Sequence, residues 1–143
     1  NTAPILEKIE NAAEDTTATV SKTTQSLPDP KREIHAQKSC PPSLEEKGGR
    51  PPEQFEAWCA TPGQQDSRHG DYWEWGLDGS LITFGSYVKN KRNGEWFRWY
   101  RNGIKKATAE YENGKQVGAY NLWNEDGTPR ETVHFKDGKA YSK

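Results

Sequence analysis

Residues 93–116 read NGEWFRWYRNGIKKATAEYENGKQ, and this stretch decides the fold because the chain contains it three times, in altered form. The preceding unit, residues 69–92, reads HGDYWEWGLDGSLITFGSYVKNKR, and the following unit, residues 117–140, reads VGAYNLWNEDGTPRETVHFKDGKA. The three units align without insertion at a period of 24 residues. A fixed period of this length is typical of repeat architectures, in which each unit packs mainly against its neighbours.

Each unit carries the signals of a β-hairpin, followed by a second turn that leads into the next unit. An Asp-Gly or Asn-Gly pair favours a type I′ turn, because both of its central residues take a positive φ angle. Such pairs lie in the first turns, at residues 78–79, 102–103 and 126–127. Second turns are indicated by Asn113-Gly114 and Asp137-Gly138, whereas the first unit has Asn90 in place of glycine. The sequence therefore predicts an all-β fold, an elongated antiparallel meander of three 24-residue β-hairpin repeats with about six strands.

Aromatic side chains supply most of the surface that this sheet can bury. Only 31% of the residues are hydrophobic and 29% are charged. All of the six Trp, six Tyr and four Phe residues except Phe55 and Trp58 lie at or after Tyr72, and each buried ring removes a large area from water. Tyr72 and Trp75 are three positions apart, as are their equivalents in the later units, so a flat strand would direct them to opposite faces. Either a β-bulge re-aims one ring, or both faces of the sheet carry aromatics.

Composition divides the chain into three parts. Residues 1–39 are rich in Thr, Ser, Pro and charge, which predicts a mostly disordered or partly helical N-terminal tether. Apolar residues at helical spacing are compatible with a short helix over residues 4–14. Residues 40–68 are predicted to form a disulfide-closed loop that caps the first repeat. Residues 69–143 hold the three hairpin repeats.

Cys40 and Cys59 are the two cysteines, and they permit one intramolecular disulfide. Closing a loop of this length contributes roughly 3 kcal/mol in the chain-entropy model. A disulfide indicates an oxidising compartment such as the periplasm or the cell surface, and two free thiols in a cytosolic protein are the alternative. The chain starts at Asn1 and contains no Met, which is compatible with a removed signal peptide and with a lipid anchor.

Charge and motif content argue against several functional classes. The net charge is -1 with both signs interspersed, so the sequence gives no reason to expect a nucleic-acid partner. It contains no run of 18 apolar residues that would form a transmembrane segment. The three histidines, His35, His69 and His134, are isolated, and no nucleophile elbow, phosphate loop or metal-ligand spacing is present. We therefore expect a protein that is not an enzyme and that binds neither a cofactor nor a metal.

The repeat pattern also resembles a known family. Its form is G-x-[YW]-x-x-W-x-x-[DN]-G, followed by an aromatic residue and then by NGK or DGK. Over residues 69–140 this pattern is similar to the bacterial MORN-repeat variant. Members of that family are often labelled YwqK-family antitoxins. The lead-in C-P-P … P-P-E … W-C … H-G is similar to that of some secreted or lipid-anchored members. The resemblance implies a hairpin sheet used for protein–protein contact or scaffolding, with lipid association proposed for some members. Asn90 departs from the pattern, and Pro129 suggests a strand start or edge.

These observations predict a non-enzymatic interaction or scaffolding module of the bacterial cell envelope, whose partner is another envelope protein. Trp, Tyr and Arg dominate interface hot spots. The residues expected to bind the partner are Trp75, Trp96, Phe97, Arg98, Trp99, Tyr100 and Trp123. The same rings could instead build the core. Alternative functions are binding of a carbohydrate or cell-wall glycan, and an antitoxin-like blockade of a toxin. Open sheet edges would also allow a homo-oligomer.

Overall fold

The structure is a computed structural model that describes residues 28–64 and 66–142. Within these described residues, one short helix and ten strands follow one another. In order they are α1 (Lys31–Ala36), β1 (Glu45–Gly49), β2 (Glu56–Ala60), β3 (Gly70–Trp75), β4 (Leu81–Val88), β5 (Lys91–Arg92), β6 (Gly94–Trp99), β7 (Lys105–Glu112), β8 (Lys115–Trp123), β9 (Pro129–Lys136) and β10 (Lys139–Tyr141).

All ten strands belong to one antiparallel sheet. Its order is β1-β2-β3-β4-β6-β7-β8-β9-β10, and the two-residue β5 pairs with β4. This confirms the predicted all-β meander, although the sheet has ten strands rather than about six. As the sequence suggests, β9 begins at Pro129. The helix considered for residues 4–14 lies outside the described residues.

Two of the strands beyond the predicted six lie in residues 40–68, which were predicted to form only a disulfide-closed loop. β1 and β2 make a hairpin, and β2 continues the sheet by pairing with β3, with Trp58 opposite Tyr72. The predicted disulfide between Cys40 and Cys59 is confirmed, and it anchors residue 40 to β2. The sequence of β1, EEKGG, gave no strand signal because charged residues and glycine are depleted in strands. Such residues are tolerated here because β1 is an edge strand.

The first turn of each unit is not the predicted type I′ turn. In the first unit, the Gly79 N–H donates to the Gly76 carbonyl at 2.9 Å, and the Gly76 N–H donates to the Ser80 carbonyl at 2.8 Å. Gly79 has a φ angle of 87°, whereas Asp78 does not adopt a positive φ. This is a three-residue loop that ends in a glycine bulge. Asp78 stabilises it by accepting a hydrogen bond from the Ser80 N–H at 3.0 Å, so the aspartate serves as a side-chain acceptor.

The second turns have the geometry that was expected of the first. Both central residues have positive φ angles in Lys89-Asn90, Asn113-Gly114 and Asp137-Gly138. Asn90 replaces glycine in the first unit, and its side-chain oxygen accepts a hydrogen bond from the backbone N–H of Arg68 at 2.6 Å. In every unit the second turn residue also donates its backbone N–H, at 2.9 Å, to the carbonyl of the residue that directly precedes that unit. These carbonyls belong to Arg68, Arg92 and Gln116. The units therefore dock on one another through the same contact each time.

A β-bulge interrupts each hairpin at one repeated position, and aromatic residues lie on both faces of the sheet. The register shifts after Glu74, Arg98 and Leu122, and the extra residue is on the return strand.

We call one side of the sheet the covered face; its buried residues include Trp73, Trp75, Leu81, Phe84, Phe97 and Trp99. We call the other side the open face; its aromatic residues include Tyr72, Tyr87, Trp96, Tyr111 and Tyr120. Tyr72 and Trp75 thus lie on opposite faces.

The covered face holds the core, and residues 28–40 lie across it. We call residues 28–40 the strap; it contains α1, in keeping with the partly helical alternative predicted for the N-terminal tether, and it packs on the sheet. The covered face is apolar only where the strap lies. Equivalent positions change from Trp73 to Phe97 to Asn121 along the three units. In the third unit the ring at this position is therefore replaced by a polar side chain.

Candidate binding surface

The structure distributes the seven residues predicted to bind a partner over both faces. Trp75, Phe97 and Trp99 belong to the core of the covered face, and the Trp99 side chain is only 2% exposed. The strap contacts this ring directly, since the Trp99 Nε1–H donates to Asp29 at 3.0 Å. With the strap in place, these three rings cannot contact a partner.

The other four predicted residues lie on the open face or at the boundary between the second and third units. Trp96 packs on the open face against Gly85 and is 5% exposed, whereas Arg98 is exposed there. Tyr100 and Trp123 are half-buried, and the Tyr100 hydroxyl donates to the Trp123 carbonyl at 2.8 Å. The seven residues therefore do not form one continuous surface. Arg98 is the most exposed member on the open face.

Both ends of the strap are fixed. At its C-terminal end, Arg50 donates to the carbonyls of Ala36 at 3.1 Å and Lys38 at 2.9 Å. The Arg50 guanidinium also lies 4.7 Å from the ring centroid of Trp73. At the N-terminal end, the Asp29 N–H donates to the Gly103 carbonyl at 2.9 Å. Arginine suits the first role because its planar fork can stack on a ring and donate several hydrogen bonds at once.

The open face carries an arginine stacked among aromatic rings in the first unit. The guanidinium of Arg68 lies 4.7 Å from the ring centroid of Trp58, 5.3 Å from that of Tyr72 and 5.5 Å from that of Tyr87. It also donates to the Tyr87 hydroxyl at 3.4 Å. Cation–π contacts of this kind are favourable and leave the edges of the guanidinium accessible to further acceptors.

The second unit repeats this arrangement, and the third loses it. Arg92 lies 4.5 Å from the ring centroid of Trp96 and donates to the Tyr111 hydroxyl at 3.3 Å. In the third unit Gln116 replaces the arginine, and Phe135 replaces the tyrosine that would accept its hydrogen bond. The 24-residue spacing of Arg68 and Arg92 is a signal that could have been found in the sequence.

A groove of about 210 Å³ opens on this face, lined by residues of the first and second units and by one residue of the third. Its lining residues are Tyr72, Glu74, Thr83, Arg92, Trp96, Arg98, Ala107, Ala109, Tyr111 and Tyr120. Side chains such as Ala107 and Ala109 are too short to fill it. Within the described residues, the Arg98 guanidinium has no hydrogen bond or ion pair. The groove thus offers a free cation beside aromatic walls.

The Tyr72 side chain, which lines the groove, is held as a neutral hydrogen-bond donor. Its hydroxyl donates to Glu56, and burial together with this hydrogen bond raises the pKa of Tyr72 well above its usual range. Burial of the ring disfavours the phenolate, and the neighbouring carboxylate adds to that effect. Tyr72 therefore contributes no negative charge that would oppose an anionic group bound at Arg92 or Arg98.

Comparison with known proteins gives no family assignment. No family model matches the chain, and no curated protein matches it. Among solved structures, the chain is similar to the Glycosylation Associate Protein (Gap123) complex from Streptococcus agalactiae. That similarity has a TM-score of 0.45 and 11% sequence identity over 91% of this chain. This chain spans 24% of the length of the matched chain.

The described residues contain no cluster of three or more His, Cys, Asp and Glu side chains that could hold a metal ion. Within the same ranges, no helix has the length and apolar character needed to cross a membrane.

The groove combines aromatic rings with two arginines, Arg92 and Arg98, and one carboxylate, Glu74. This combination can stack on a flat apolar group and neutralise one or two acceptor groups beside it.

Proposed function

We propose that the chain is a non-enzymatic module that binds another protein through the open face of its sheet. The observation that carries this proposal is the exposed Arg98 guanidinium, which lies without a described partner over a groove walled by Trp96 and Tyr111. Tryptophan, tyrosine and arginine are the residues that most often dominate interface energetics. An acidic or carbonyl-bearing side chain of a partner could pair with Arg98 while its apolar part contacts the rings.

We further propose that the module works in the bacterial cell envelope, in the periplasm or on the cell surface, and that its partner is another envelope protein. The disulfide between Cys40 and Cys59 supports an oxidising compartment. The resemblance of the repeats to the MORN-repeat variant supports a scaffolding role. An intracellular antitoxin-like role is the weaker alternative, and it would gain support if both thiols were free in the native protein.

Affinity capture from an envelope extract of the native cells tests the protein-binding role, with the full chain as bait. We expect one stoichiometric partner to be retained by the wild-type chain and lost with Arg98→Ala, since truncation removes the free cation of the groove. Arg101→Ala is the matched control, because Arg101 is an exposed arginine in the neighbouring turn and outside the groove. Equal retention by both variants would contradict binding at the groove.

Binding of a cell-wall glycan is a second candidate that the dimensions of the groove favour. At about 210 Å³ the groove is smaller than the pockets that hold drug-sized ligands, and it could accept a single sugar ring against Trp96 or Tyr120. Glu74 and Arg98 could then bind hydroxyl groups. Titration with glycan fragments, followed by tryptophan fluorescence, would show a saturable change that Arg98→Ala reduces and Arg101→Ala leaves intact. A flat titration would exclude this candidate.

A further inference from the structure

The strap places one titratable side chain flat against the rings of the covered face. The imidazole of His35, on α1, stacks on Phe84 with a centroid distance of 4.2 Å and an interplanar angle of 11°. The rings of Phe97 and Trp99 lie 5.0 and 6.2 Å away. Both imidazole nitrogens are buried, and neither has a hydrogen-bond partner among the described residues. Buried polar atoms without a partner are rare in folded proteins, so this histidine calls for an explanation.

Only the neutral imidazole fits this position. Protonation makes both ring nitrogens donors and adds a positive charge, but the neighbouring rings offer no acceptor in the plane of the imidazole. Burial lowers the pKa of His35, the strap residues Lys38 and Lys31 lower it further, and Asp29 acts in the opposite direction. The π faces of the rings would attract a cation, but they cannot replace the water that each N–H loses.

Charged groups from each neighbouring element set the local field. On the strap, Asp29 is compensated by Lys105 of β7, with 3.8 Å between carboxylate and ammonium. From the β1–β2 hairpin, Arg50 adds a cation at the carbonyl of Ala36. From β3, Asp71 lies near Lys38, and burial raises its pKa. No carboxylate among the described residues makes an ion pair with His35.

We propose that the strap is a pH-sensitive cover, which protonation of His35 releases from the sheet to uncover the rings of Phe84, Phe97 and Trp99. The disulfide holds Cys40 against β2, so the released segment pivots at that residue. Opening exposes Phe97 and Trp99, two of the rings that the sequence predicts for contact with a partner.

The direction of the pH dependence follows from linkage. The closed strap favours neutral His35, whereas in the open strap the imidazole is solvated and has its ordinary pKa of about 6.5. Closure is therefore fully favoured above about pH 6.5 and weakens as the pH falls below that value, until the lower pKa of the closed form is reached. Within that window, each pH unit changes the ratio of closed to open strap by about tenfold. The contacts of Arg50 and Asp29 oppose release.

Exchange of the tryptophan indole N–H protons, followed by NMR, tests the proposal on the full disulfide-bonded chain. Two of these indole N–H groups donate hydrogen bonds to the strap. The Trp73 Nε1–H donates to the His35 carbonyl at 2.9 Å, and the Trp99 Nε1–H donates to Asp29 at 3.0 Å. The Trp96 Nε1–H donates to the Ser86 carbonyl at 3.1 Å on the open face and serves as the internal reference. Between about pH 7.5 and about pH 5, we expect protection of Trp73 and Trp99 to fall, by up to about tenfold for each pH unit below about 6.5, while Trp96 stays protected.

Two variants assign the effect to His35. His35→Phe keeps a ring stacked on Phe84 but cannot be protonated, so protection of Trp73 and Trp99 should no longer depend on pH. His134→Gln removes a histidine of β9, far from the strap in the sheet, and should respond to pH as the wild-type chain does.

Three results would overturn the proposal. The first is unchanged protection of Trp73 and Trp99 in the wild-type chain at both pH values, a result that needs no variant. The second is an equal loss at Trp96, which would mean that the whole sheet opens. The third is a pH response that persists in His35→Phe, which would assign the effect to another group.

Discussion

Gly85 determines how closely the aromatic rings lie against the open face of the sheet. A Cβ atom at this position would fall inside the indole ring of Trp96, which rests directly on the strand. The equivalent residue of the second unit is Ala109, and the equivalent of Trp96 is Tyr120. Tyr72 and Trp96 are in contact, with 5.5 Å between ring centroids. Both rings line the groove, together with Ala109.

Substitution of Gly85 tests this packing. Gly85→Ala should lower the free energy of unfolding by about 1–3 kcal/mol, because the added methyl group forces Trp96 off the strand. In a Trp96→Ala background the same change should be neutral or stabilising by about 0.5–1 kcal/mol, since alanine is less costly than glycine in a strand when nothing opposes its side chain. Urea denaturation followed by circular dichroism measures both values. An equal cost in the two backgrounds would show that the ring is not the obstacle.

At the residue scale, the sequence contains a spacing that indicates the stacked arginines of the open face, although its motifs did not point to them. Arg68 and Arg92 each precede by 19 positions the tyrosine whose hydroxyl they bind, and Gln116 precedes Phe135 by the same interval. The paired loss of guanidinium and hydroxyl in the third unit is visible in the sequence. Its meaning is not, because strand register determines which side chains are neighbours.

At the scale of elements, the disulfide joins the strap to the hairpin that caps the repeats. Cys40 closes the strap, and Cys59 lies fully buried in β2 against the core. The bond therefore limits the freedom of two elements that have few apolar residues of their own. β1 consists of charged residues and glycine, and no residue of α1 is fully buried.

Removal of this bond should destabilise both elements. Cys40→Ala keeps the buried Cys59 side chain in place and should cost roughly 3 kcal/mol, the chain entropy of the opened loop. The midpoint of urea denaturation, followed by tryptophan fluorescence, measures the loss. A change of less than about 0.5 kcal/mol would mean that packing alone holds the hairpin and the strap.

The elements differ in how well the sequence predicts them, and the reason is physical. The repeat hairpins are predictable because their turns depend on local residues with preferred φ angles. The strap and β1 are not, because they are held by contacts with distant residues, such as Arg50 with the carbonyls of Ala36 and Lys38. The sequence predicted a type I′ geometry for the first turns, but the structure has this geometry in the second turns. The prediction failed because an aspartate such as Asp78 can serve equally as a turn residue and as a side-chain acceptor.

At the scale of the whole molecule, the two faces of one sheet have different roles. The covered face is apolar over the first two units and is closed by the strap. The open face presents stacked arginines, aromatic rings and a groove beside Arg98. The sequence predicted the aromatic residues but not their division between the faces, because residues three apart in a strand can share a face when a bulge intervenes. We therefore propose that a partner contacts the open face.

Site-specific photo-cross-linking in native envelope preparations tests this assignment most directly. A photoreactive amino acid at Glu131 lies on the open face beside the groove, because Glu131 pairs with Leu122, which pairs with the groove residue Ala107. Matched probes replace Leu77 in a turn and Ile34 on the strap, which are 80% and 61% exposed. We predict one discrete adduct from position 131 and none from positions 77 and 34. Adducts from position 77 or 34 with none from position 131 would contradict binding through the open face.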